Sequence, residues 1–265
     1  MKQSKQPGPR RARRPRRPSG GRGRSLLQPL IFLLICAALV LGMSVFFRVA
    51  KIEVVGNSIY TAEEVVAASG IEIEDNLFLL NKYSAAQAIF EKLPYVEEAT
   101  INRALPDTIV ITVRECVAAA GVVSPDGYWL ISENGKLLER TATLPSGCPG
   151  ITGVEPESPA LSAQLSLGEE KTLTTETLLT LVRTAGGYGM LAGIGSGDLS
   201  DAEAITFTYL GRFTVRLPWD SDLDYIFRSV QDLVNGLESN ETGEINYMLL
   251  KSKGEMRFIP SAPGA

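Results

Sequence analysis

The sequence predicts an α+β exterior carried on one membrane-length helix. Three observations lead there. A run of 23 uncharged residues separates Arg24 from Arg48, residues 49–115 then read as strand, helix, helix, strand, strand, and the rest alternates short strands with two helices. The expected organisation is a disordered basic tail at 1–24, a transmembrane helix at 25–47 and a β-α-α-β-β domain at 48–116. A mixed β-sheet domain with two helices at 117–260 and a flexible tail at 261–265 complete it.

Charge is split between the ends of the chain. Residues 1–24 hold 10 of the 26 Lys and Arg and no acid, leaving 16 basic against 30 acidic residues, a balance of −14, in the remainder. A tail with proline and glycine among its cations and few apolar groups cannot bury enough surface to fold. Its expected role is topogenic: basic residues beside an anionic leaflet are each worth about 1 kcal/mol. Phosphate binding to nucleic acid is not expected, because no aromatic stacking residue or folded reading element accompanies the cations.

The uncharged run would extend roughly 35 Å as helix, against a hydrocarbon core of about 30 Å. Pro29 lies near its start, where a helix tolerates proline best. The basic flank predicts that the N-terminus stays in the cytoplasm and the remainder is exported. An uncleaved anchor is favoured over a signal peptide, since the stretch exceeds the usual apolar core of a signal and no small-x-small site follows. Cys36 reads as a membrane cysteine, because the bulky Ile35 precedes it where a lipoprotein signal needs a small residue.

In the first exported module, residues 51–55 alternate polar and apolar side chains before a Gly56-Asn57 turn. Thr61 and Glu64 form a capping box for a helix that Gly70 ends. Ser84 and Gln87 repeat that signature for a second helix, which must stop before Pro94. Strands are expected at 98–102 and 108–114, joined through Leu105-Pro106-Asp107, with Ile109, Ile111 and Val113 on one face.

The second module follows without a long linker. Pro125-Asp126-Gly127 turns the chain into a strand, and Asn134-Gly135 sets up a hairpin with residues 136–139. Residues 148–163 hold three prolines and little periodicity, so they read as irregular. A helix is expected at 174–183, with Gly186-Gly187 as its stop, and a second between Asp222 and Leu237. In the latter, Leu223, Ile226, Phe227, Val230, Leu233, Val234 and Leu237 form one stripe, read as core. Ile205, Phe207 and Tyr209 alternate with threonines before Gly211 turns into Phe213, Val215 and Leu217, a further hairpin. The last strands are expected at 244–250 and 255–259.

Catalysis finds little support. The chain has no histidine, which removes Ser-His-Asp and Cys-His machinery and His-ligated metals. Asp220, Asp222 and Asp224 crowd a helix start, where negative charge suits the dipole, and lack the calcium-loop pattern. No cofactor and no metal site is expected. Cys116 and Cys148 are both exported, and free buried thiols are preferred to a disulfide.

Val49-Ala-Lys-Ile-Glu-Val-Val-Gly-Asn57, and Leu93-Pro-Tyr-Val96 through Arg103-Ala-Leu-Pro106 to Val113-Arg-Glu115, resemble a POTRA domain. With a membrane helix directly before it, the arrangement is similar to the FtsQ/DivIB family of bacterial cell-division proteins. Gly127-Tyr-Trp-Leu-Ile-Ser132, residues 144–153, Gly211-Arg-Phe-Thr-Val215 and Gly243-Glu-Ile-Asn246 match later family segments in order. Cys116 and Ala118 to Ala120 depart from the charged, proline-containing stretch the family often has there.

The resemblance implies a non-enzymatic, single-pass divisome scaffold at the cell membrane and division septum. It would bind FtsL-like and FtsB/DivIC-like bitopic proteins outside the membrane and help control the septal peptidoglycan synthesis machinery. It further implies that Tyr247, Met248, Leu249 and Leu250 contact the partner, by strand addition and adjacent side chains. Two other readings compete. A POTRA-bearing transport or secretion component would receive unfolded clients, but no barrel-like series of strands follows. A cell-wall enzyme would need a nucleophile and base, and no such pair can be named.

Overall fold

A computed structural model describes residues 22–249 and 255–261. Residues 1–21, Leu250, the expected turn at 251–254 and residues 262–265 lie outside the described residues, so the readings of the basic tail and of Leu250 are not addressed. The first element is α1 (Arg22–Phe46), with Pro29 inside it. Its described apolar side chains, among them Phe32, Leu33, Leu39, Val40 and Leu41, stand exposed. A helix is thus observed where 25–47 was expected, but no helix among the described residues is long and apolar enough to cross a membrane.

Strand β1 (Lys51–Val55), helices α2 (Ala62–Ser69) and α3 (Lys82–Lys92), and strands β2 (Val96–Ala104) and β3 (Thr108–Glu115) form the first module. The sheet order is β1-β3-β2, with β1 parallel and β2 antiparallel to β3. A parallel pair requires a crossover, and the two helices supply it. Ile109, Ile111 and Val113 are buried against Val65, Ala68, Ala85 and Ile89 of those helices. Thr61 and Glu64 form the expected capping box, and Gly70 closes α2 at φ 69°. The second cap differs from expectation: Asn81, not Ser84, caps α3, its carboxamide oxygen accepting from Ser84 N at 3.2 Å. Asparagine is as good a cap as serine, and here it sits one full turn earlier.

Two contacts hold the turn after β1. Gly56 has φ +88°, and a Cβ there would lie 2.2 Å from the Val113 carbonyl oxygen. The Glu115 carboxylate accepts from Ser58 N, Ile59 N and Tyr60 N at 2.8, 2.6 and 3.1 Å. The far end of β3 is therefore tied to the loop that opens α2.

The second module begins with β4 (Ala120–Ser124), β5 (Gly127–Ile131), β6 (Leu137–Thr141), β7 (Gly150–Thr152) and α4 (Thr172–Gly187). It continues through β8 (Ile194–Asp198), β9 (Ala204–Tyr209), β10 (Phe213–Pro218), α5 (Leu223–Gly236), β11 (Gly243–Asn246) and β12 (Arg257–Pro260). These strands form one nine-stranded mixed sheet, ordered β12-β11-β10-β9-β8-β7-β4-β5-β6. The Pro125-Asp126-Gly127 turn leads into β5 as expected, and the hairpins at Asn134-Gly135 and Gly211 form as expected. In the last, Leu210 and Gly211 both take left-handed conformations, at φ 54° and 65°, which suits the sheet's twist.

Three strands were not anticipated. β7 has three residues and lies within the stretch read as irregular, yet it joins β4 and β8 by parallel pairing. β8 carries two glycines, and Gly197 leaves room for the Ile151 side chain, whose Cδ1 would stand 3.0 Å from an added Cβ. β4 follows an alanine run without alternation. Helix α4 runs past Arg183 through both Gly186 and Gly187. A Cβ at Gly186 would fall 2.5 Å from the Glu133 carboxylate, so this glycine serves close packing and not a stop.

Helix α5 begins where expected, with Asp222 accepting from Tyr225 N at 3.1 Å. Its stripe is core: Ile226, Phe227 and Val230 are fully buried, and Phe227 stacks on Phe207 at 5.5 Å. β10, α5 and β11 make a parallel crossover unit that extends the sheet. Arg212 fixes its return by donating to the carbonyls of Glu238, Ser239 and Glu241 while its guanidinium lies 4.7 Å from the Phe213 ring centroid.

The modules are clasped at Lys136, which is 3% exposed. Its ammonium donates to the carbonyls of Phe90 and Val96 at 2.9 and 2.6 Å, with Leu93 O at 3.5 Å, and sits 3.6 Å from the Phe90 ring centroid. Phe90 and Leu93 are at the C-terminus of α3, where a cation also complements the helix dipole. Asn134 donates to Glu97 beside it, and Cys116 and Cys148 sit as free thiols in the adjoining apolar cluster with Leu130 and Leu138.

Replacing Lys136 with Ala leaves buried carbonyls without a donor and should cost about 2 kcal/mol, read as a lower unfolding midpoint. Burial holds the Lys136 ammonium down to about 8, against an ordinary lysine near 10.5. The folded chain releases this proton before the unfolded chain does. The penalty for burying charge is therefore complete below pH 8 and disappears as pH rises to 10.5. Wild-type stability minus that of Lys136→Met should rise across this window; a flat difference would contradict it.

Candidate interaction surface

The strand expected at 244–250 ends at Asn246. Asn246 is buried, and its side-chain oxygen accepts from Leu249 N at 3.0 Å, so the chain turns instead of extending. An asparagine that bonds its own following backbone competes with the ladder in this way. Tyr247, Met248 and Leu249 therefore lie just beyond the strand. Tyr247 N donates to Arg216 O at 3.0 Å, and its ring stands 6.0 Å from that of Tyr225, half-buried against the α5 core. Met248 is half-buried and Leu249 is 56% exposed. The structure brings these three expected contact residues together on one turn; Leu250 is outside the described residues.

Beyond that turn, the sheet ends in β12. Among the described residues, β12 has β11 as its sole strand neighbour, in antiparallel register with Ile259 opposite Glu244. Ser261 N donates to Thr242 O at 2.8 Å, and antiparallel alternation then directs the Ile259 and Arg257 main chains inward. The Phe258 N–H and C=O face outward. So does the Pro260 C=O, while Pro260 has no N–H to offer. This edge can accept a short added strand centred on Phe258, and proline limits its length.

The side chains of this edge are unequal. Phe258 packs edge-on against Phe213 at 6.1 Å, whereas Ile259 and Arg257 are exposed. The sequence pointed to 247–250 and did not single out the outward-facing main chain at Phe258; a proline closing the last strand was the available signal. Among the described residues, no three of His, Cys, Asp or Glu are grouped to hold a metal ion. Asn246→Ala should release the turn by about 1 kcal/mol, seen as several-fold faster exchange of the Leu249 amide with the fold intact. An unchanged rate would show that the turn stands without this bond.

Comparison with known proteins bears on the whole arrangement. Residues 47–115 match the family described as POTRA domain, FtsQ-type. Cell division protein DivIB of Geobacillus kaustophilus is 36% identical over 107 residues, which cover 40% of this chain and 41% of that protein. Cell division protein FtsQ of Corynebacterium glutamicum is 32% identical over 130 residues, covering 48% of this chain and 58% of that one. The match thus spans less than two thirds of either relative. Cell division protein FtsQ of Syntrophotalea carbinolica is 29% identical over 229 residues, 80% of this chain and 77% of that protein. The β-α-α-β-β module, its position and these relatives agree: residues 47–115 are an FtsQ-type POTRA domain, in a chain similar to the FtsQ and DivIB cell division proteins.

Proposed function

We propose that this protein is a non-catalytic scaffold of the cell-division machinery, anchored by α1 and binding partner proteins through the C-terminal end of its exported sheet. Its relatives are named cell division proteins, and the observation that carries the binding reading is the edge of β12, unpaired among the described residues, beside Tyr247, Met248 and Leu249. The partners are FtsB/DivIC-like and FtsL-like bitopic proteins, and through them the complex helps control septal peptidoglycan synthesis. The exposed apolar surface of α1 and the uncharged run between Arg24 and Arg48 support a single-pass anchor, N-terminus inside.

The mechanism is assembly. A short partner strand laid on β12 gains main-chain hydrogen bonds at Phe258, and its alternate side chains meet Ile259 and the 247–249 turn. Such an edge alone gives modest affinity. Holding both proteins in one membrane raises their effective concentration, so weak contacts suffice.

An N-terminal fluorescent fusion should form a midcell band that follows constriction in dividing cells of the source organism. Uniform envelope signal throughout the cycle would contradict the division role. Tyr247→Lys should weaken binding of the FtsB/DivIC-like partner about tenfold, as a half-buried aromatic anchor does when charged, without unfolding the exterior. Unchanged affinity in the folded variant would remove Tyr247 from the interface.

A further inference from the structure

The junction between α1 and the POTRA domain has no linker. The helix ends at Phe46, Phe47 N still bonds Met43 O at 3.3 Å, and Val49 is already 1% exposed in the POTRA core. The loop between α2 and α3 is laced to this junction: Leu77 N donates to Phe47 O at 2.9 Å, Arg48 bridges Asn76, and Val49 N donates to Asp75 O at 2.8 Å. The pairing is antiparallel. Residues 78 and 79 therefore continue toward the helix, past the point where it enters the domain, and the Phe47 and Phe78 rings meet edge-on at 5.0 Å.

At this level the surface is apolar and the backbone amides of residues 78–80 are satisfied from within. Leu79 is 83% exposed, Tyr83 77% and Phe78 45%, beside Phe46 at 79%. The Asn76 side chain accepts from Phe78 N and Leu79 N at 3.0 and 3.1 Å, and Asn76 O accepts from Leu80 N at 3.0 Å. Arg103 takes the carbonyls of Leu77 and Leu80. A loop that meets its own amide hydrogen-bonding needs while turning aromatic and aliphatic side chains outward suits the headgroup boundary of a bilayer. Lys82, whose ammonium lies 5.2 Å from the Tyr83 ring, and Arg48 supply cations for lipid phosphates; the Glu74 carboxylate stands 3.8 Å from Arg48.

We propose that Phe78, Leu79 and Tyr83 insert into the outer leaflet beside α1, seating the POTRA domain on the lipid surface. This rests on α1 being the membrane anchor. A helix that merely tethers would leave the exterior free to tilt. A second contact beside the first fixes the domain's inclination, and with it the height at which β12 is presented to partners.

The test is tryptophan quenching by lipids brominated near the headgroup end of their acyl chains. The full chain is reconstituted in phosphatidylcholine–phosphatidylglycerol vesicles. Its own tryptophans, Trp129 and Trp219, both lie in the second module, so the emission of the parent chain is subtracted. Leu79→Trp and the more conservative Tyr83→Trp report the loop, Leu39→Trp reports α1, and Leu173→Trp, at a position 78% exposed in α4, is the reference. Brominated lipid should reduce the emission at 39, 79 and 83 roughly twofold, as expected for side chains at or below the headgroup boundary, and spare 173. Quenching at 39 without 79 and 83 would overturn the lipid contact while leaving the anchor in place. No quenching at 39 would overturn the anchor reading and the proposal with it. Blue-shifted but unquenched emission at 79 that depends on protein concentration would assign the patch to a second copy instead.

Discussion

A buried ammonium clasps the two modules together. Lys136 spans from the second module to the carbonyls of Phe90, in the last turn of α3, and Val96, at the start of β2, and covers its remaining side with the Phe90 ring. Burying a lysine is costly, and its lowered proton affinity expresses that cost. Three carbonyls and an aromatic face compensate only when the modules meet in one orientation. An apolar patch of the same area would tolerate sliding. The clasp therefore converts two independently cored units into one lever, with α1 at one end and β12 at the other.

The far end of that lever is built by the same economy. The α5 stripe supplies the core under β9, β10 and β11, and Arg212 gathers three carbonyls to return the chain into β11. Only then can β12 add to the sheet. An exposed edge of a nine-stranded sheet invites indiscriminate pairing, and here Pro260 removes a donor while the exposed Arg257 places a charge on it. What is left is a short acceptor centred on Phe258. In the proposed scaffold, selectivity falls to the side chains alongside, Tyr247 held by the core and Leu249 held out by the Asn246 turn.

Much of this was legible in the residues, and the failures have causes. Regular periods and strong caps carried the reading: the Thr61–Glu64 box, the α5 stripe and the alternating threonines of β9 all fall where expected. Elements stabilised mainly by their neighbours escaped it. β7 is three residues long and exists because β4 and β8 flank it; in β8, Gly197 leaves room for Ile151 and Gly195 for the Thr208 hydroxyl. Ser84 and Asn81 offered competing caps, and local sequence could not weigh them. At the candidate surface, the strand was expected to run on to residue 250, whereas it ends at Asn246. Nothing in periodicity marks a side chain that accepts from its own backbone three residues later. Lys136 was invisible for a related reason: its partners lie 40 to 46 residues away along the chain.

The most direct measurement is amide exchange at Phe258 in the full chain, with and without the exported segment of the FtsB/DivIC-like protein proposed as its partner. Strand addition at β12 predicts strong slowing at the Phe258 amide on binding, with little change at Ile259, whose N–H already faces β11. Saturated binding that leaves the Phe258 amide as fast as in the free protein would contradict pairing at this edge and place the partner on side chains elsewhere.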